Sequence, residues 1–101
     1  MLTTIIGTIV VIVILLIVAA KVFAIKWLEH KNLDSDGNNY AQYVFLDDKI
    51  SEEDKIRRLR GICAYNPDCL GFNSQGYFKN KILPTDKLVT KDGHVLYVKQ
   101  L

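Results

Sequence analysis

Two cysteines and two histidines are the residues of this chain with the most reactive side chains, and their spacing decides which chemistry they could do. Cys63 and Cys69 are separated by five residues, whereas His30 and His94 lie far apart and beside no evident nucleophile. Cys63 with His94 could be drawn as a nucleophile and its base. Two cysteines and two histidines could also hold zinc, but the cysteine spacing is wide for that metal. A structural disulfide between Cys63 and Cys69 is the use that the spacing favours.

Other motifs for catalysis or cofactor binding are incomplete. Asp34-x-Asp36-Gly37 is similar to the opening of a calcium loop, but the third ligand before the glycine and the closing glutamate are missing. Gly71 and Gly76 fit a strand and a turn, and they do not form a phosphate-binding loop. We therefore predict that the chain is not an enzyme and that it binds no cofactor and no metal.

An apolar segment opens the sequence. Residues 1–20 include no charged side chain, and the segment is apolar all round. About twenty such residues are needed to cross the hydrocarbon core of a bilayer. The segment predicts a single-pass membrane protein, with a transmembrane helix and its interfacial extension over residues 1–31 and the lipid bilayer as a partner.

The flanking residues fit a membrane interface. Lys21 and Lys26 can extend to the headgroups, and Trp27 lies where indole rings collect. The alternative is a secretory signal cleaved after Val18-Ala19-Ala20. Lysines that follow the helix favour a cytoplasmic C-terminal domain, but a lumenal or extracellular domain stays open.

Net charge is unevenly divided along the chain. Residues 29–54 hold eight acids and two bases, which gives −6, whereas residues 55–101 hold nine bases and three acids, which gives +6. The two halves can pair with each other or with neighbouring molecules. Because the basic residues 55–60 share a predicted helix with acids, we expect no nucleic-acid partner.

The residues after the apolar segment predict a small α+β domain. Residues 32–39 are rich in turn formers and predict a linker, and residues 40–101 predict the domain. Ser51 is a predicted N-cap for an amphipathic helix that runs to Cys63. One strand is predicted before this helix and three after it, so the order along the chain is β-α-β-β-β. The predicted strands are Tyr40–Leu46, Cys69–Asn73, Tyr77–Asn80 and Val95–Lys99.

A domain of this size has a small core and gains from a covalent link. Cys63 is expected at the end of the helix and Cys69 at the start of the next strand. A disulfide between them would join helix and sheet and fix the angle at which they cross.

Residues 63–79 carry a resemblance to a known family. Cys63-x5-Cys69-Leu-Gly-Phe-Asn-Ser-Gln-Gly-Tyr-Phe-Lys79, closed by Leu96-Tyr-Val-Lys99, resembles the PAN/Apple-like module. In that module a helical cysteine bonds to one that opens a strand of the type Cys-x-Gly/Ala-Phe, but the further disulfides of typical members are absent. The resemblance implies a non-catalytic module that binds protein or carbohydrate, with an antiparallel sheet and one packed helix. It transfers no binding residue.

The predicted partner surface includes one of the two adjacent aromatic residues Tyr77 and Phe78. Side chains alternate along a strand, so only one of Tyr77 and Phe78 can face the core. The other is a candidate contact, together with Asn73, Gln75 and Lys79.

The whole chain is also similar in layout to small proteins of large icosahedral DNA viruses, which place minor capsid proteins between an internal membrane and the shell. This resemblance implies a membrane-anchored structural protein whose partners are other proteins of a virion assembly. The alternative is a cell-surface or lumenal PAN-type module that binds protein or carbohydrate.

Overall fold

Five antiparallel strands and one helix make up a small domain in the computed structural model, which describes residues 12, 13, 16 and 24–100. The elements are β1 (Lys26–Asp34), β2 (Asn39–Gln42), α1 (Glu52–Tyr65), β3 (Gly71–Asn73), β4 (Tyr77–Lys79), a 3-10 turn (Thr85–Lys87) and β5 (Val89–Gln100). The order of strands across the sheet is β1-β5-β3-β4-β2.

The predicted α+β fold with the order β-α-β-β-β is wrong. The domain is mostly β, and its order is β-β-α-β-β-β, because an additional strand precedes the elements that were predicted for the domain. That strand, β1, pairs with β5 from Lys26 opposite Gln100 to Asp34 opposite Val89. The pairing partner lies at the far end of the domain, so no local pattern around residue 30 reveals it.

The predicted transmembrane helix lies mostly outside the described residues. Its extension to residue 31 is wrong, because Lys26–Asp34 is a strand. In the described part of the chain, no helix is long and apolar enough to cross a membrane. The prediction of a single-pass membrane localisation is corrected by this finding.

Residues 32–39, predicted as a linker, are part of the fold. Asp34 and Ser35 are buried, and the Ser35 hydroxyl accepts a hydrogen bond from the Leu83 backbone N–H at 2.9 Å. This hydrogen bond connects residues 32–39 to the loop that follows β4.

All four predicted strands have bounds that differ from the prediction, and β2 and β5 differ most. β2 ends at Gln42 instead of residue 46, and β5 begins at Val89 instead of residue 95, so that it includes residues 91–94. Gly93 (φ +78°) and Asn32 (φ +58°) form an irregularity there, and the Gly93 N–H donates to Asn32 Oδ1 at 3.0 Å. The glycine therefore bends a long strand without ending it.

Helix α1 agrees with the prediction from its capping and apolar residues. The Ser51 hydroxyl accepts from the Asp54 N–H, and three acids lie in the first turn. Leu59 and Cys63 are fully buried against the sheet. The core that they contact includes Phe72, stacked on Tyr97 with ring centres 4.9 Å apart.

Candidate interaction surface

The five residues of the predicted partner surface are not together on the surface. Phe78 is 4 % exposed and belongs to the core, Lys79 is completely buried and Asn73 is 2 % exposed. Gln75 is exposed and Tyr77 is half-buried. Of the two neighbouring aromatics, Phe78 is therefore the one that faces the core.

Asn73 and Lys79 instead belong to a buried polar cluster centred on Asp34. Asn73 Nδ2 donates to both Asp34 carboxylate oxygens, at 3.3 and 3.2 Å, and Lys79 Nζ lies 3.7 Å from Asp34 Oδ1. Lys79 also donates to Asn39 Oδ1 at 2.6 Å and to the Gly37 carbonyl at 3.2 Å. The cluster therefore fixes the segment between β1 and β2 against β4.

Charges from the two halves of the chain meet at this cluster. Lys91 Nζ lies 3.8 Å from Asp34 and 3.9 Å from Asp36, so acids of residues 29–54 pair with bases of residues 55–101. Pairing within the molecule, one of the two uses predicted from the charge distribution, is thus seen at Asp34.

Burial shifts the pKa of the two buried lysines. The pKa of Lys79 is lowered from its usual value of 10.5, mainly by desolvation, although Asp34 opposes the shift. Desolvation also lowers the pKa of Lys99. Lys99 Nζ donates to the Asn66 carbonyl at 2.9 Å, just beyond the end of α1.

The predicted disulfide is confirmed. Cys63 and Cys69 are bonded, with their α-carbons 5.2 Å apart, and both are completely buried. Asn66 anchors the loop between them, since its side-chain N–H group donates to the Tyr40 hydroxyl at 3.0 Å. With both sulfurs bonded to each other, neither cysteine is available as a nucleophile or a metal ligand.

The remaining chemically reactive residues lie in strands. His30 is in β1 and His94 is in β5, where its Nδ1 is buried without a hydrogen-bond partner in the described part of the chain. Among the described residues, no group of three or more His, Cys, Asp or Glu side chains is arranged to hold a metal ion.

The residues predicted at a membrane interface have other surroundings where the structure describes them. Lys21 lies outside the described residues. Lys26 is exposed in β1, and Trp27 packs edge-on against Phe72 with ring centres 5.5 Å apart. The interface assignment of Lys26 and Trp27 is corrected, because both residues are in the sheet.

A groove runs between α1 and β1 on the side of the sheet that the helix covers. Alternate residues Ile25, Trp27 and Glu29 form the strand wall of this groove, which we call the α1–β1 groove. Residues one or two turns apart, Glu53, Arg57, Arg60 and Ala64, form the helix wall, and Tyr97 of β5 lies between the walls. Two adjoining cavities of about 440 and 390 Å³ share Arg57 and Arg60 as lining residues.

The two ends of the α1–β1 groove differ in polarity. The end near the start of the helix has three glutamates, Glu29, Glu52 and Glu53, and the other end has Trp27, Ala64 and Tyr65. In the middle, the Arg60 guanidinium lies over the Tyr97 ring at 6.0 Å. Burial raises the pKa of Tyr97 from its usual value of 10.0, and nearby Glu29 adds to that shift.

Sequence reasoning missed this groove because it placed residues 25–31 in a helix. Ile25 and Trp27 are apolar on either side of Lys26, but apolar Leu28 breaks the alternation, and the apolar run before them conceals where a strand could begin.

An exposed apolar segment follows β2. Leu46 is 97 % exposed and Val44 is 62 % exposed, beside the half-exposed ring of Tyr43. These side chains lie in an irregular segment, and Tyr43 and Val44 line a further cavity of about 220 Å³ that shares Glu52 with the α1–β1 groove.

Comparisons with protein-family models, curated proteins and solved structures find no match. The resemblances to PAN/Apple-like modules and to viral capsid proteins therefore stay predictions.

Proposed function

We propose that this chain is a non-enzymatic interaction domain, held together by its disulfide, that binds a protein partner in the α1–β1 groove. The observation that carries this proposal is the groove itself. Helix α1 packs across the middle of the sheet and, among the described residues, leaves the β1 side open, with Trp27 only partly covered.

The residue types in the groove support a protein partner. Trp, Tyr and Arg are the side chains that contribute most often to binding energy at protein interfaces. Here Trp27, Arg60 and Tyr65 line the same groove, and Tyr65 is 63 % exposed. Trp27 is held in place by Phe72, so little side-chain freedom is lost when a partner covers it.

The two roles that the sequence resemblances imply are more specific than this proposal, which does not depend on either. A minor capsid protein and a PAN-type module for protein or carbohydrate both remain predictions, and each is a kind of interaction domain. The disulfide favours an oxidising compartment for the domain.

The experiment is a selection of random linear peptides on the immobilised full-length chain, with a glycan array in parallel. We expect enriched peptides that bind saturably and lose at least about tenfold in affinity with Tyr65→Ala. Tyr43→Ala is the matched control, because Tyr43 is a surface tyrosine that does not line the groove.

Equal binding by the two variants would show that the groove is not the site. Enrichment of glycans without peptides would replace the protein partner with a carbohydrate.

A further inference from the structure

We propose that the partner enters the groove as an extended peptide that adds to the outer edge of β1, antiparallel to it, and carries a basic residue two positions before an apolar one. This inference rests on the proposed function and specifies its ligand. The added strand would be the sixth of the sheet.

The free edge of β1 is the first observation that supports strand addition. In the sheet order β1-β5-β3-β4-β2, β1 has a neighbour on one side only among the described strands. The outward backbone N–H and C=O groups of such an edge are a ready template for another strand. The other edge strand, β2, has only four residues, whereas β1 has nine.

The length of the regular edge limits the peptide. Pairing of β1 with β5 is regular from Lys26 to Lys31 and shifts register at Asn32, whose backbone is left-handed. An added strand can follow the regular part, which spans about 20 Å at the rise of an extended chain. The ligand is therefore a segment of about six residues.

Side-chain direction links this edge to the groove. Trp27 and Glu29 both point to the helix side of the sheet, one strand period apart. In an antiparallel pair, the residue opposite Glu29 precedes the residue opposite Trp27 by two positions. The two peptide side chains at these positions would stand beside Glu29 and Trp27 and close the open side of the groove.

Charge decides which side chain belongs at which end. Lys55 pairs with Glu52 and Arg57 pairs with Asp54, whereas Glu29 and Glu53 take part in no ion pair among the described residues. A basic side chain fits beside these two glutamates. An apolar side chain fits between Trp27 and Ala64 at the other end.

Gly61 provides a variant that fills the groove without disturbing the fold. This glycine lines the apolar end, and a β-carbon added there meets no atom within 4 Å. Gly61→Leu should block binding, and Gly61→Ala is its control. Both substitutions replace glycine in a helix interior with a better helix former, so neither is expected to unfold the chain.

The experiment uses short synthetic peptides with alternating β-branched residues and a lysine two positions before a leucine. We expect saturable binding to the full-length chain, a loss of about tenfold or more with Glu29→Lys, and no loss with Asp48→Lys, which makes the same charge change at an exposed turn. Gly61→Leu should abolish binding and Gly61→Ala should retain it.

Backbone methylation of the peptide tests strand addition directly. Methyl groups on the amides of alternate residues that face β1 should abolish binding, and methyl groups on the other alternate set should not. Equal effects of the two sets, or preference for an acidic residue in place of lysine, would overturn the inference. If binding still depends on Tyr65 in that case, the proposed function stands and only the mode of binding is wrong.

Discussion

Lys79 shows how a charged residue becomes part of the interior. Its side chain is 1 % exposed, and three oxygen atoms, those of Asp34 Oδ1, Asn39 Oδ1 and the Gly37 carbonyl, lie around its ammonium group in place of water. A buried ion pair often contributes little net stability, but removal of one partner leaves the other charge uncompensated.

We predict that Lys79→Met destabilises the domain by about 3 kcal/mol, because the buried Asp34 carboxylate loses its closest cation. The double variant Lys79→Met, Asp34→Asn should be more stable than Lys79→Met alone, since no buried charge remains unpaired. Urea unfolding of the wild type, both single variants and the double variant measures the coupling. Losses that simply add would show that the two side chains act independently.

A second prediction concerns alkaline pH. Because burial lowers the pKa of Lys79 and Lys99, the unfolded chain binds more protons than the native chain between those lowered values and 10.5. The free energy of unfolding should therefore rise with pH through that window. The raised pKa values of Tyr40 and Tyr97 act in the opposite direction above 10.0, where deprotonation favours the unfolded chain.

Urea midpoints across a pH series up to about 10 measure this dependence. The Lys79→Met, Asp34→Asn variant should show a smaller rise than the wild type, and an equal rise would remove Lys79 as its cause.

Among features of single residues, which side chains are buried was the least predictable from the sequence. Alternation correctly indicated that one of Tyr77 and Phe78 is buried, but it could not indicate that Lys79 is buried as well. The ligands that make its burial possible come from residues 34–39, about 40 positions earlier in the chain.

Among the elements, α1 was predictable and β1 was not. The signals of the helix, from the Ser51 cap to the buried Leu59 and Cys63, all lie within the helix or next to it. β1 depends on β5, which is more than sixty residues away, and its own residues follow an apolar run that favours a helix. The groove was missed for the same reason, because one of its walls is β1.

The disulfide was predictable because its two cysteines flank one short turn. We predict that Cys63→Ser, Cys69→Ser lowers the free energy of unfolding by about 2 kcal/mol, the value expected for closing so short a loop in the unfolded chain. A reductant should lower the melting temperature of the wild type to that of the double variant and leave the variant unchanged. A variant as stable as the wild type would show that the hydrogen bonds of Asn66 suffice to hold the loop.

At the scale of the whole molecule, the sheet joins the two most distant parts of the described domain. Lys26 pairs with Gln100, so the pairing of β1 with β5 closes a loop that includes every other element. Loops of this length cost conformational entropy before their contacts form, and such topologies fold slowly.

We predict that a circular permutant refolds faster than the parent. A short glycine and serine linker would join residue 100 to residue 26, and new ends would open in the exposed turn at residues 47–49, so the β1–β5 pairing becomes a local hairpin. Stopped-flow refolding in urea compares the two chains, and Cys63 and Cys69 stay bonded in both. Equal refolding rates would place the slow step outside the β1–β5 pairing.

The burial of Lys79 also makes the domain its own conformational reporter. An amine-reactive label or trypsin reaches exposed lysines such as Lys81 and Lys87 in the native state, whereas modification at Lys79 requires the Asp34 cluster to open. The ratio of modification at Lys79 to that at Lys81, read by peptide mass spectrometry, therefore measures the population of opened molecules. Because the two lysines are neighbours in sequence, each ratio carries an internal standard, and a ligand that stabilises the closed domain would lower it.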